Sequence, residues 1–308
     1  NGVNRYPDPQ QRALKAILAE QKGIKEENIL LGNGSDEVLD LLFRAFCEPK
    51  EDNIITLPPT YGMYKVLSGI NLVENREVLL TDAFQPNVPA IKERIDGNTK
   101  LLFICSPNNP TGNSFSTRSI EDLLKSFTGL VVIDEAYIDF SLEESWTSKL
   151  AKYPNLIITQ TLSKAYGMAG IRLGICLASA EIIAVINKIK PPYNVNQLTQ
   201  ERAIQRVSDE KSVQEEVATI LEEREKLINT LETVSFVSKI YPTDANFILA
   251  KVDNATLRYN QLLKKGIVVR NRTTQPLCEN TLRFTVGTSK ENNIVITALK
   301  ALSNEYGK

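Results

Sequence analysis

The sequence predicts an α/β fold. A large domain over 1–195 carries a mainly parallel sheet flanked by helices. Connecting helices and a smaller α+β domain follow over 196–308. Three observations predict this. First, short and nearly continuous apolar runs recur at NIITL (53–57), KLLFICS (100–106), GLVVIDEAY (129–137), NLIITQT (155–161) and IRLGICLA (171–178). Strands buried on both faces of a parallel sheet read this way, without alternation. Second, helix-period patterns lie between them, as in SDEVLDLLFRAF (35–46), STRSIEDLLKSF (116–127) and AEIIAVINKI (180–189). Alternating strand and helix argues for crossover connections in one sheet. Third, the pattern changes after Pro191–Pro192: a polar, charged, helical stretch runs over about 196–232. FVSKIY, NFILAKV, GIVVRN and TLRFTVG follow as strands, with helical patterns at 254–265 and 289–305.

Composition narrows the chemistry. The 308 residues hold 36 basic and 37 acidic side chains, a net charge of −1, so no basic excess points to nucleic acid. Charged residues make up 24% and hydrophobic residues 42%, which is ordinary for a soluble globular protein. No apolar run approaches the roughly 18 residues of a membrane span. There is no histidine, which excludes Ser–His–Asp and Cys–His catalysis and any His-based metal site. Acid–base work falls to Lys, Tyr, Asp, Glu or a cofactor. Cys47, Cys105, Cys176 and Cys278 form no CxxC pair, so no metal site is expected. Three of them sit in apolar segments and read as reduced, packed hydrophobes.

Four motifs carry the chemistry. GNGSDE (32–37) joins a short strand to a helix that starts at Ser35. Glycine lets backbone amides approach a ligand, and a helix N-terminus favours an anion. Taken alone it is equally an ordinary capped turn. SPNNPTG (106–112) makes a stiff loop at the carboxyl end of a strand, the edge where open α/β sheets bind ligands. In VVIDEAYIDF (131–140), Asp134 and Glu135 end an apolar strand, where an uncompensated charge is costly; one of them pairs with a buried cation or reaches solvent. Tyr137 lies three residues on. In TLSKAYGMAGIRLG (161–174), Lys164 sits beside Ser163 among small residues, with Arg172 eight positions later. A lone loop lysine is ordinarily just exposed. A lysine beside a phosphate site, with a serine donor and an arginine clamp, is the functional alternative.

One ligand explains all four: a phosphorylated pyridine aldehyde. Lys164 bonds the aldehyde. Ser163, Arg172 and the Gly34–Ser35–Asp36 loop hold the phosphate. Asp134 pairs with the pyridinium nitrogen, and Asn109 with Tyr137 reaches the phenolic oxygen.

The order NRYPDP, GNGSDE, PPTYGMY, SPNNPTG, DEAY, TLSKAYGMAGIRLG, LRFTVGT resembles the fold-type I, pyridoxal-phosphate-dependent aminotransferases of class II, over essentially the whole chain. NRYPDP, PPTYGMY and the TLSKA–AG–R run narrow the likeness to the branch that acts on histidinol phosphate. The resemblance implies that Tyr61 stacks on the pyridine ring and that Tyr6 reaches the cofactor phosphate of a neighbouring subunit, which makes a homodimer. It implies that Arg283 binds a substrate carboxylate and Arg270 the substrate phosphate, with Tyr6 and Asn109 also facing substrate. The implied reaction is ping-pong: Lys164 serves as general base and 2-oxoglutarate and glutamate serve the second half. Neither nucleic acid nor membrane is an expected partner, and a biosynthetic role points to the cytoplasm. The arm with a pattern like L-x-x-N-E-N-P that opens family members does not occur in these 308 residues. Three competitors share the motifs: an aromatic amino acid aminotransferase, a lyase similar to threonine-phosphate decarboxylase, and a non-enzymatic module that kept the fold.

Overall fold

The structure, a computed structural model, describes residues 4–306. Along the first two thirds of the chain run α1 (Arg12–Lys22), β1 (Ile29–Asn33), α2 (Ser35–Phe46), β2 (Asn53–Thr56), α3 (Met63–Ile70), β3 (Glu74–Glu77) and α4 (Val88–Arg94). Next come β4 (Thr99–Cys105), α5 (Thr117–Ser126), β5 (Leu130–Asp134), β6 (Leu156–Thr161), β7 (Leu173–Ala178) and α6 (Ala180–Ile189). The remainder holds α7 (Gln197–Val207), α8 (Glu210–Glu232), β8 (Val237–Ile240), β9 (Phe247–Val252), α9 (Ala255–Lys264), β10 (Arg270–Asn271), β11 (Thr281–Thr285) and α10 (Ser289–Tyr306).

Seven strands form one sheet in the order β1-β7-β6-β5-β4-β2-β3. β7 runs antiparallel to both its neighbours, and the other pairings are parallel. The apolar runs are continuous because both faces are covered. Leu102, Ile104, Val131, Ile133 and Ile158 join one core layer. Leu101, Phe103, Val132 and Ile157, their chain neighbours, join the layer on the other face. Each fully buried Leu or Ile there stabilises the fold by roughly 1.5–3 kcal/mol.

The polar edge strand β3, with sequence ENRE, carries no apolar signal and was not expected. Its charges suit an edge, since they discourage pairing with another chain. The expected strand GIVVRN pairs only at Arg270–Asn271, and Val268 is exposed. The second sheet has the order β10-β11-β9-β8. α7 places Ala203 and Val207 in the core layer that holds Leu14 and Leu18 of α1. Val217, Ile220 and Leu221 of α8 pack on the cluster of Tyr137, Phe140 and Phe247, and Leu227 and Leu231 pack against β9, β11 and α10.

β7 matters most for function. Because it runs against β6, the chain leaves β6 at Thr161, loops through Lys164 and re-enters the sheet beside Arg172 at one edge. The carboxyl ends of β1, β2, β4 and β5 meet at that same edge, so motifs far apart in sequence converge there.

Candidate active site

Lys164 lies in the loop between β6 and β7, half-buried, with its Nζ 5.4 Å from the ring centroid of Tyr137. Among the described residues its amine has no hydrogen-bond partner. Burial lowers its pKa from the usual lysine range, and the nearby Arg283 guanidinium lowers it further. Asp134 and Asp36 pull the other way. A fraction of neutral amine is what a nucleophile or base needs.

Asp134 ends β5 with 3% of its surface exposed. Its Oδ2 accepts a 2.7 Å hydrogen bond from the Tyr64 hydroxyl, and its Oδ1 accepts from the Ala136 amide at 3.2 Å. Burial still raises its pKa above the usual carboxylate range, against the hydrogen bonds that lower it, and the nearby Asp36 charge adds to the rise. The adjacent Glu135 faces a different environment. Ser145 Oγ, the Trp146 amide and Gln160 Nε2 donate to it at 2.7, 2.7 and 2.8 Å, so it anchors a loop. Of the two strand-end carboxylates, only Asp134 lacks a full set of donors.

GNGSDE and Arg172 form one cluster. The Gly34 amide donates to the Arg172 carbonyl at 3.0 Å, and Gly34 has φ +78°. A Cβ on Gly34 would sit 2.3 Å from Arg172 Nη2, so a larger residue there would displace the guanidinium. Arg172 Nη2 lies 3.6 Å from Asp36 Oδ2, and the Tyr61 hydroxyl donates to Asp36 Oδ1 at 2.9 Å. Ser35 starts α2, whose first amides have no partners within the helix. The Ser163 hydroxyl lies 3.0 Å from Thr161 Oγ1 on the same loop.

In SPNNPTG the two asparagines divide the work. Asn108 is fully buried; its Nδ2 donates to the Pro59 carbonyl at 2.8 Å and to Thr111 Oγ1 at 2.7 Å, which holds the loop. Asn109 is half-buried and its Oδ1 accepts from Arg283 Nη1. The Arg283 guanidinium lies 4.6 Å from the Phe247 ring centroid, and Phe247 meets Tyr137 edge-on at 5.1 Å. Rings thus link Lys164 to Arg283 across the two sheets. Arg270 stands directly opposite Arg283 in the β10–β11 ladder but is exposed. Tyr6 is 80% exposed and stacks on Tyr193 at 4.4 Å, so within one chain it does not join the cluster.

Two residues of this site were not singled out from sequence. Tyr64 stands three places after Tyr61 in PPTYGMY, and only its helix, α3, turns its hydroxyl to Asp134. Arg272 closes VVRNR; its Nε is buried with no partner, like that of Arg283. Its period-2 spacing from Arg270 was the available signal.

The aminotransferase class I and II family matches residues 1–299 of the chain. A histidinol-phosphate aminotransferase of Flavobacterium johnsoniae is 68% identical over 98% of this chain and 87% of its own length. The crystal structure of the histidinol-phosphate aminotransferase from Clostridium acetobutylicum has a TM-score of 0.91 at 27% identity, over 99% of this chain and 92% of that one. The enzyme of that name from Sinorhizobium meliloti, solved in complex with pyridoxal-5'-phosphate, shares the fold with a TM-score of 0.87 at 22% identity. That match spans 98% of this chain and 84% of the other.

Proposed function

This chain belongs to the class I and II aminotransferase family, and on that premise we propose that it interconverts L-histidinol phosphate and 2-oxoglutarate with imidazole-acetol phosphate and L-glutamate in histidine biosynthesis, using pyridoxal 5'-phosphate. One observation carries the reading: the partnerless Lys164 amine lies within electrostatic reach of Asp134, Arg172, Asp36 and Arg283 at once.

The residues fit that cofactor. Asp134 is a buried carboxylate with donors but no cation, which a protonated ring nitrogen would supply. Gly34, having no Cβ, lets the Arg172 guanidinium lie against the backbone at the start of α2, where a phosphate would be held. When bound, pyridoxal 5'-phosphate supplies an aldehyde that bonds amines and a ring that accepts the electrons left by a broken C–H bond. Asp134 would face the ring nitrogen and favour its protonated form. Arg172, Ser163, Ser35 and the Gly34 backbone would hold the phosphate at the start of α2. Tyr61 would cover the ring, and Asn109 with Tyr137 would orient its phenolic oxygen. Lys164 would hold the aldehyde carbon, and its amine, with its lowered pKa, would serve as the base for the substrate Cα proton. Arg283 and Arg270 orient the anionic groups of donor and acceptor; a planar guanidinium suits carboxylate and phosphate alike. The exposed Tyr6 supports a homodimer in which it reaches the cofactor phosphate of a second copy. The reading places the enzyme in the cytoplasm.

Absorbance of the purified protein with pyridoxal 5'-phosphate, before and after L-histidinol phosphate without keto acid, tests the reading. Conversion of the cofactor band to that of pyridoxamine phosphate is expected, and Lys164→Ala should abolish turnover. A band that responds to phenylalanine alone would select the aromatic aminotransferase. Carbon dioxide released from a phosphorylated amino acid would select the lyase.

A further inference from the structure

Arg270, Arg272 and Arg283 share one face of the second sheet. Arg270 opposes Arg283 in the ladder. The Arg272 amide donates to the Thr281 carbonyl at 2.9 Å and extends that ladder by one pair, so Arg272 returns to the same face two residues on. Among the described residues none of the three guanidinium groups forms an ion pair. Arg272 Nε and Arg283 Nε are both buried without a partner. Burial lowers the pKa of each, and each lies within electrostatic reach of the other and of the Tyr137 phenol. A buried guanidinium N–H is normally satisfied by a hydrogen-bond partner. Arg283 has the Asn109 amide oxygen and the Phe247 ring beside it, and Arg272 has the Cys278 thiol and the Tyr137 phenol within electrostatic reach, so the three guanidinium groups make a receptor without an anion.

We infer that Arg272 is a specificity-determining residue that completes a phosphate subsite with Arg270 and Arg283, accepting a phosphomonoester dianion. A carboxylate fills one guanidinium fork, whereas the oxygens of a dianionic phosphate satisfy two at once. The subsite therefore favours a phosphate ester over a neutral aromatic donor. This inference rests on the reading above that these arginines face the substrate.

Inorganic phosphate is the probe, used as a competitive inhibitor of the holoenzyme against L-glutamate. Arg272→Gln should weaken phosphate inhibition roughly tenfold to a hundredfold, the worth of one charge-assisted hydrogen bond. KM for histidinol phosphate should rise by a similar factor, with a smaller fall in kcat, and Arg272→Lys should regain part of the loss. A second measurement needs no variant: phosphate should protect Arg272 of the wild-type holoenzyme from phenylglyoxal, read by peptide mass spectrometry. Inhibition within twofold of wild type, no inhibition of wild type, or unprotected Arg272 would each overturn the inference. If phosphate competes and Arg272→Gln abolishes the competition while histidinol phosphate is not turned over, the subsite stands and the substrate reading fails.

Discussion

The Tyr64 hydroxyl donates a 2.7 Å hydrogen bond to Asp134 Oδ2 across 70 residues of sequence, and neither side chain is more than 3% exposed. The Tyr64 ring is wedged between Phe103, stacked at 4.9 Å, and Tyr61, edge-on at 5.6 Å. Packing thus aims the hydroxyl, and the hydroxyl aims the carboxylate.

Tyr64→Phe keeps the ring and removes the donor. The carboxylate then loses one of its two hydrogen bonds, at a cost of about 1–3 kcal/mol. Fluorescence titration should show pyridoxal 5'-phosphate bound roughly tenfold more weakly, and kcat should fall with it. Wild-type affinity in the variant would remove Tyr64 from the positioning of Asp134.

Asp134→Asn should trade stability against activity. Its folded pKa is raised by burial, so the ionised form costs stability, and that cost builds as pH rises from the unfolded carboxylate value through the raised folded one. Without cofactor, the neutral isostere should melt no lower than wild type at pH 7, and its margin should shrink as pH falls. Turnover should drop by several orders of magnitude. Calorimetry of the cofactor-free proteins checks the first claim, and a lower midpoint for the variant would show that the charge is already compensated.

Gly34→Ala acts through Arg172. The added Cβ would lie 2.3 Å from Nη2, and φ +78° with ψ 165° is a backbone region essentially restricted to glycine, at a cost of about 1–3 kcal/mol to another residue. The cofactor should dissociate more readily, with a lower melting midpoint. An unchanged dissociation constant would show that Arg172 can move aside without loss.

Glu223 tests the packing of α8 on α10. It accepts from Lys226 Nζ at 2.7 Å, Ser289 Oγ at 2.9 Å and Asn292 Nδ2 at 3.0 Å, tying α8 to α10. These bonds lower its pKa from the usual 4.5 to about 2. A lowered folded pKa contributes stability that is complete above the unfolded value and lost as pH falls through the folded one. Wild type should therefore exceed Glu223→Gln in denaturant midpoint at pH 7, and the gap should close between about pH 4.5 and 2. A gap that holds down to pH 2 would assign the effect to packing.

Much of this protein is determined by the sequence itself. Continuous apolar runs mark buried parallel strands, and helical periods mark the crossovers, because both signals repeat within a few residues. GNGSDE, SPNNPTG, DEAY and the Lys164 loop each carry a local chemical demand that can be read without a structure. The tertiary structure decided what such short-range signals do not contain. Sheet order brings Asp134, Lys164 and Gly34 to one edge, and the reversed strand β7 returns Arg172 to it. The α3 helix decides that Tyr64 meets Asp134 while Tyr61 meets Asp36. Ladder register and burial decide that Arg272 is half-buried with its Nε unpartnered, like that of Arg283, while Arg270 is exposed. Contacts between residues 70 or 170 positions apart depend on how whole elements pack, and no periodicity along the chain encodes that distance.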